Sequence, residues 1–175
     1  MKMSEKRESH VKALQIALET EKKGCRFYRI AAASSKDPAG KKVFEQLAKD
    51  EMEHMAIFAA LFKSITNNEP WMTYDQAVAR FGKIDQEKLI FPNGHVDAQD
   101  DFDDMKALQE ALGFEKKAVE FYIEQAAGAE EDVARSFYQS IQAIEEGHVK
   151  IIQAELDSLQ GTGFWLGYQE ISLEH

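Results

Sequence analysis

Apolar residues recur along this chain in steps of three and four, the helical period, in four separate stretches. The first is predicted as a helix from about Ser4 to Ala33, with the line Val11, Leu14, Leu18, Glu21, Cys25, Tyr28 and Ala32 on one face. The second begins near Pro38, a good first-turn residue after Asp37 as N-cap. Its line is Phe44, Leu47, Glu51, His54, Phe58, Leu61 and Ile65, broken by Asn67-Asn68-Glu69-Pro70. The third starts in the acidic stretch from Asp100 to Asp104, where negative charge suits a helix N-terminus. It continues through Leu108, Leu112, Glu115, Val119, Tyr122 and Ala126 to about Gly128. The fourth takes Ala134, Phe137, Ile141, Glu145, His148, Ile152, Leu156 and Leu159, with Gly161 as its expected stop.

The connections between the first and second helices, and between the third and fourth, are short, which predicts two antiparallel hairpins. Between them, residues 67–99 form a crossover long enough to return along the bundle. It contains a predicted short helix from Tyr74 to Phe81, opened by a Thr73/Gln76 capping box, and a turn at Phe91-Pro92-Asn93-Gly94. The expected fold class is all-α: a four-helix bundle with one long crossover, the ferritin-like arrangement. The bundle spans residues 1–160, and 161–175 form an aromatic tail with Phe164, Trp165 and Tyr168, suited either to capping the bundle or to packing on a second subunit. Leu173-Glu174-His175 reads as the start of an expression tag, so His175 is given no functional weight.

In each of the four lines, ionisable residues interrupt apolar ones. Buried charges cost several kcal/mol unless they are paired or bind metal, so these interruptions need a reason. They are also arranged two-fold. Glu21, Glu51 and His54 return 94 positions later as Glu115, Glu145 and His148, and Tyr28 returns as Tyr122. Ala17-Leu18, Lys22-Lys23 and Phe27-Tyr28 return as Ala111-Leu112, Lys116-Lys117 and Phe121-Tyr122. One Glu-x-x-His on a helix means little; two, each with an upstream Glu at the same separation, are hard to produce by accident.

Composition narrows the options. At 175 residues the chain suits one domain with a sizeable core. Lys and Arg number 21 against 31 Asp and Glu, a net charge of -10 with pI near 5.0, which argues against nucleic acid as a partner. No apolar run approaches the roughly 20 residues needed to span a bilayer, and Met1 to His10 lacks a signal-peptide core. A cytoplasmic, soluble protein with no membrane partner is the expectation. The single Cys25 excludes an internal disulfide framework and any site built from several thiolates; it reads as a small core residue. His10 and His95 read as solvent-exposed. The acidic run Asp97 to Asp104 lacks the spacing of a calcium-binding EF-hand loop and reads as a charged helix start.

Four carboxylates and two imidazoles are the ligand inventory of a two-metal site. Glu and His at i and i+3 lie close on one face, one turn apart, so both reach one metal. Four negative charges balance two divalent ions, and oxygen ligands with one imidazole per metal suit iron or manganese. Tyr28 lies roughly 10 Å along the axis from Glu21, too far to share its metal, and is placed to hydrogen-bond a carboxylate from another helix.

These motifs, Glu21-x6-Tyr28, Glu51-x-x-His54, Glu115-x6-Tyr122 and Glu145-x-x-His148, resemble the rubrerythrin branch of the ferritin-like superfamily across nearly all of residues 10–160. The resemblance implies two iron ions, with manganese or zinc as possible substitutes. It implies that Glu51 and Glu145 bridge the metals, with Glu21, Glu115, His54 and His148 as terminal ligands. It implies hydrogen peroxide or dioxygen as reactant and oxidative-stress defence as role. A homodimer is expected because the crossover, with Trp71, Phe81, Ile90 and Phe91, and the aromatic tail carry more apolar surface than a small monomer usually exposes, and the related families are oligomeric. Two departures stand out. Rubrerythrins carry a further Glu three residues after the third-helix ligand, where this chain has Ala118; that draws the ligand set towards bacterioferritin. They also carry a rubredoxin domain with Cys-x-x-Cys pairs, absent here, so electrons would come from an external donor such as a rubredoxin-like protein. The expected function is a peroxide reductase, with Tyr28 and Tyr122 supporting the ligands. The rival readings are a ferroxidase or iron-handling protein, a diiron oxygenase acting on an organic substrate, and a metal-free interaction bundle.

Overall fold

A computed structural model describes residues 5–81 and 96–167. The described residues form five helices and no strand: α1 (Glu5–Ser34), α2 (Pro38–Thr66), α3 (Tyr74–Phe81), α4 (Asp104–Gly128) and α5 (Asp132–Thr162). The all-α expectation holds, and the four long helices begin and end within a few residues of the positions that periodicity and capping predict. The turn at Phe91–Gly94, His95 and Tyr168 lie outside the described residues.

Local chemistry sets the boundaries. The Asp37 carboxylate accepts from Ala39 N at 2.7 Å and Gly40 N at 3.4 Å, with Pro38 opening α2. Asp103 caps α4 through Lys106 N at 3.1 Å. Thr73 and Gln76 form the reciprocal capping box of α3, with Thr73 N donating to Gln76 Oε1 at 3.0 Å and Gln76 N to Thr73 Oγ1 at 3.3 Å. One boundary differs. The last helix does not stop at Gly161 but continues to Thr162, and Gly163 takes the left-handed conformation at φ 78° with its N–H on Leu159 O at 3.0 Å. A glycine inside a helix costs only about 1 kcal/mol. A left-handed residue after the last turn lets the chain leave the helix while its N–H satisfies a late carbonyl, and Gly163 does both.

α1 pairs with α2 and α4 with α5 as two antiparallel hairpins, while α3 lies against α2 and α5. The sequence repeat persists in the packing. Tyr28 stacks on Phe44 with ring centroids 6.5 Å apart, and their images 94 positions on, Tyr122 and Tyr138, stack at the same 6.5 Å. Phe27 meets Tyr28 edge-on at 5.5 Å, as Phe121 meets Tyr122 at 5.2 Å.

The apolar core falls into two clusters. One gathers Leu14, Ile57, Phe58, Leu61, Trp71, Tyr122, Phe137 and Ile141; the other gathers Tyr28, Val43, Phe44, Leu47, Leu108, Ile152 and Leu156. Between them, near the middle of each long helix, sit the ionisable residues. Four ring side chains behave in ways the sequence left open or misread. Trp71 is buried against Phe137 and Tyr138 at 5.8 and 5.7 Å, and His10 packs edge-on to it at 5.2 Å, half-buried rather than free in solvent. Trp165 turns back onto the bundle and meets Phe44 edge-on at 5.6 Å, while Phe164 points outward. Glu155, wholly buried, anchors that turn by accepting from Leu166 N at 2.8 Å and Gly167 N at 2.9 Å.

Candidate metal centre

All six sequence-nominated ligands converge between the two apolar clusters. α1 supplies Glu21, α2 Glu51 and His54, α4 Glu115, and α5 Glu145 and His148, and none is more than 4% exposed. Helical spacing explains the convergence: each residue falls on the core-facing line of its helix, at the level where the lines meet.

The side chains form two overlapping groups, Glu21/Glu51/His54/Glu145 and Glu51/Glu115/Glu145/His148. Within each, one ligand atom per residue lies within 4.8 Å of every other. Glu51 and Glu145 belong to both groups. Glu145 spans them, with Oε1 3.1 Å from His54 Nδ1 and Oε2 3.0 Å from His148 Nδ1. His54 Nδ1 hydrogen-bonds Glu21 Oε2 at 3.2 Å, whereas Glu145 Oε1 is buried and has no aligned hydrogen-bond partner despite its proximity. An unsatisfied buried acceptor costs about 1–3 kcal/mol. A cation held between the two groups would satisfy it, and the donor set fits: oxygens with one imidazole per group suit a hard or borderline divalent ion.

Burial and mutual repulsion govern the protons. Burial, then neighbouring Glu21, pushes the Glu51 carboxyl well above its ordinary range, and burial raises Glu115 to about 7 even though His148 works against the rise. For His54, burial favours the neutral ring, but Glu145 and Glu21 override it and raise the imidazole to about 10. His148 is raised in the same way, against its burial, by Asp50, Glu115 and Glu145. Glu145 moves the other way: burial would raise it, yet His54 and His148 hold it well below the usual carboxylate range. The cluster thus balances its carboxylates with protons, and a metal ion must displace them to bind.

Tyr28 and Tyr122 do not point at the carboxylates of their own helices. The Tyr28 hydroxyl on α1 donates to Glu115 Oε1 on α4, and the Tyr122 hydroxyl on α4 donates to Glu21 Oε1 on α1. Burial, then the facing glutamates, raises both phenols well above 10.0, so they remain donors. Each tyrosine therefore fixes the carboxylate of the opposite hairpin and seals one end of the site with its ring.

Two residues that sequence reasoning missed contribute. Asp50 Oδ2 lies 3.4 Å from His148 Nε2, on the outer side of that ring. Gly24 leaves room for Glu51: a Cβ at that position would stand 3.3 Å from Glu51 Oε2. Both depart from the two-fold pattern, because their images are Ile144 and Ala118, and that asymmetry was the available signal. Cys25 is a core residue, its Sγ 3.5 Å from Ala48 O, and burial raises its thiol to about 12.

The Rubrerythrin family model matches residues 12–156, which includes all six cluster residues and both tyrosines. A solved structure described as a hypothetical protein from Pyrococcus furiosus is similar at 20% identity, covering 86% of this chain and 89% of that chain with a TM-score of 0.59, a likeness of fold. Among curated proteins none matches. No described helix is long and apolar enough to cross a membrane.

Proposed function

The chain belongs to the rubrerythrin family, and from that premise we propose that it is a non-haem diiron protein that reduces hydrogen peroxide with electrons from an external donor. The observation that carries this reading is the pair of overlapping ligand groups sharing Glu51 and Glu145. Glu21, His54, Glu115 and His148 would complete the two positions, with manganese or zinc able to replace iron in the same donors. Two irons would supply the two electrons that cleave the O–O bond. The chain's own residues do the rest. The two apolar clusters keep bulk water away, and Tyr28 and Tyr122 hold the terminal carboxylates in place.

A rubredoxin-like protein is the proposed donor and the cytoplasm the proposed location. Self-association into a homodimer is also proposed. It draws on Ile16, Phe114 and Ile123, which stand 46, 49 and 46% exposed on α1 and α4; Trp71 and Trp165, by contrast, cover this chain's own core.

One observation favours a second reading, a ferroxidase that consumes ferrous iron with dioxygen. Ala118, one turn after Glu115 and 7% exposed, offers no additional carboxylate to the cluster. The deciding experiment is anaerobic ferrous loading, then separate stopped-flow mixing with peroxide and with dioxygen at matched concentrations, following ferric absorbance. Faster oxidation by peroxide is expected; faster oxidation by dioxygen would replace the peroxidase reading with the ferroxidase one.

A further inference from the structure

We propose that the two metal positions are unequal, and that Asp50 makes the Glu115/His148 position the one that fills first. The inference rests on reading the cluster as a two-metal centre, and it concerns where the two-fold pattern breaks. Every ligand has an image: Glu21 and Glu115, Glu51 and Glu145, His54 and His148. The outer support does not. On one side, Gln46 Nε2 donates to Asp50 Oδ1 at 2.8 Å and Asp50 Oδ2 stands 3.4 Å from His148 Nε2, forming a line from α2 across to α5. The images of Gln46 and Asp50 are Ser140 and Ile144. Ser140 Oγ donates to its own helix at Ser136 O, 3.0 Å away, and Ile144 has no group that could hold an imidazole.

The two nitrogens of His148 are thereby given different tasks. Nε2 faces Asp50, while Nδ1 faces the cluster, 3.0 Å from Glu145, 3.7 Å from Glu51 and 3.8 Å from Glu115. An anionic acceptor on the outer N–H keeps the proton there. It leaves the inner lone pair for a metal, favours one orientation of the ring and makes the inner nitrogen a stronger donor. Gln46 keeps Asp50 in place although Asp50 is 23% exposed. For His54 the symmetric position is Ile144 in place of a carboxylate, and the carboxylates seen beside its ring, Glu21 and Glu145, are on the cluster side at Nδ1. Asp50 is a positioning residue: it acts through His148 and is not itself within either ligand group.

Removal of such an outer partner typically weakens metal binding 10- to 100-fold. The test is an anaerobic cobalt(II) titration of the full chain, read by calorimetry and by cobalt d–d absorbance, with the metal itself as probe. The parent protein should take up cobalt in two steps of unequal affinity. Asp50→Asn should weaken the tighter step about tenfold and leave the other within about twofold, so that the two steps converge. His148→Gln should remove the tighter step and His54→Gln the weaker one. Melting of the chelated Asp50→Asn protein serves as the folding control, and Asp50→Glu, which keeps the charge, should retain at least part of the separation. A parent that binds no cobalt would sink the two-metal reading itself. Two cobalt ions bound with Asp50→Asn changing neither step, or weakening both alike, would leave that reading standing and overturn the inequality proposed here.

Discussion

Removing metal should lower the melting temperature by an amount that grows with pH. With each position at a free-metal concentration 100 times its Kd, mass action contributes about 2.7 kcal/mol per site, or about 5 kcal/mol for two. For a chain of this size one kcal/mol shifts Tm by roughly 2–4 °C, so the gap between loaded and chelated protein should be on the order of 10–20 °C. The pH dependence follows from the protons that metal must displace. Glu115 and Glu51 are raised, by burial first, above their ordinary 4.5. Their contribution to the chelated protein is therefore fully present below pH 4.5 and lost as pH rises through the folded values, about 7 for Glu115. The difference between 4.5 and about 7 corresponds to roughly 3 kcal/mol at 1.36 kcal/mol per pH unit. His54, raised to about 10 against the pull of burial, has the same sign, its contribution present below 6.5 and fading as pH rises towards 10. Glu145, held low by the two imidazoles against its burial, has the opposite sign and matters only under acid conditions. From pH 6 to 8 the chelated protein should therefore lose stability while the loaded one holds its own. Differential scanning calorimetry at pH 6, 7 and 8, with chelator or with anaerobic ferrous iron, measures both. Glu115→Gln should flatten the slope near pH 7. Equal melting temperatures, or a gap that narrows as pH rises, would refute the reasoning.

Three further outcomes are expected. Gly40→Ala would place a Cβ 2.5 Å from the Trp165 indole carbons; it should cost about 1–3 kcal/mol by urea unfolding, and much less in a Trp165→Ala background, so additive losses would count against the contact. Tyr122→Phe removes the donor to Glu21; it should destabilise the chelated protein by about 1–3 kcal/mol, and a cobalt titration should show the His54-side step weakened more than the His148-side step, with Tyr28→Phe giving the reverse through Glu115. Ala118→Glu adds a carboxylate one turn after Glu115, within reach of the metal there. Stopped-flow oxidation should then shift towards peroxide relative to dioxygen, and an unchanged ratio would show that position 118 does not choose the oxidant.

What could be read from the sequence was whatever local spacing encodes. An i, i+3 Glu–His pair on an apolar line fixes both the helix face and the depth of its side chains, so all six cluster residues are legible in the sequence. Caps such as Asp37 and the Thr73/Gln76 box are equally local, since donor and acceptor lie within three residues. Contacts that depend on how one helix is rotated against another were not legible. Asp50 reaches His148 only because α2 and α5 face each other at that level, and its one mark in the sequence is the isoleucine at its image, Ile144. His10 was misread for the same reason, because its partner Trp71 is brought to it by the crossover. The stop at Gly163 rather than Gly161 turns on which glycine takes positive φ, and two glycines separated by one residue give no local basis for choosing.

The repeat explains how a short chain can keep so many ionisable groups in its core. Two hairpins of the same design, packed face to face, put Glu21 and Glu115 each opposite a tyrosine hydroxyl that the other hairpin carries in the equivalent place. Tyr28 serves Glu115 because Tyr122 serves Glu21, and each ring then stacks on an aromatic of its own hairpin, Phe44 or Tyr138. The same two residues thus hold the ligands and join the polar layer to the apolar layers on either side of it. In the proposed two-metal centre, symmetry of this kind would make the two positions equal in standing, and two equal positions would give no order of filling or oxidation. Inequality has to come from residues outside the ligand set, where a change does not remove a metal donor. Asp50 stands there, at the partly exposed rim, with an isoleucine as its image.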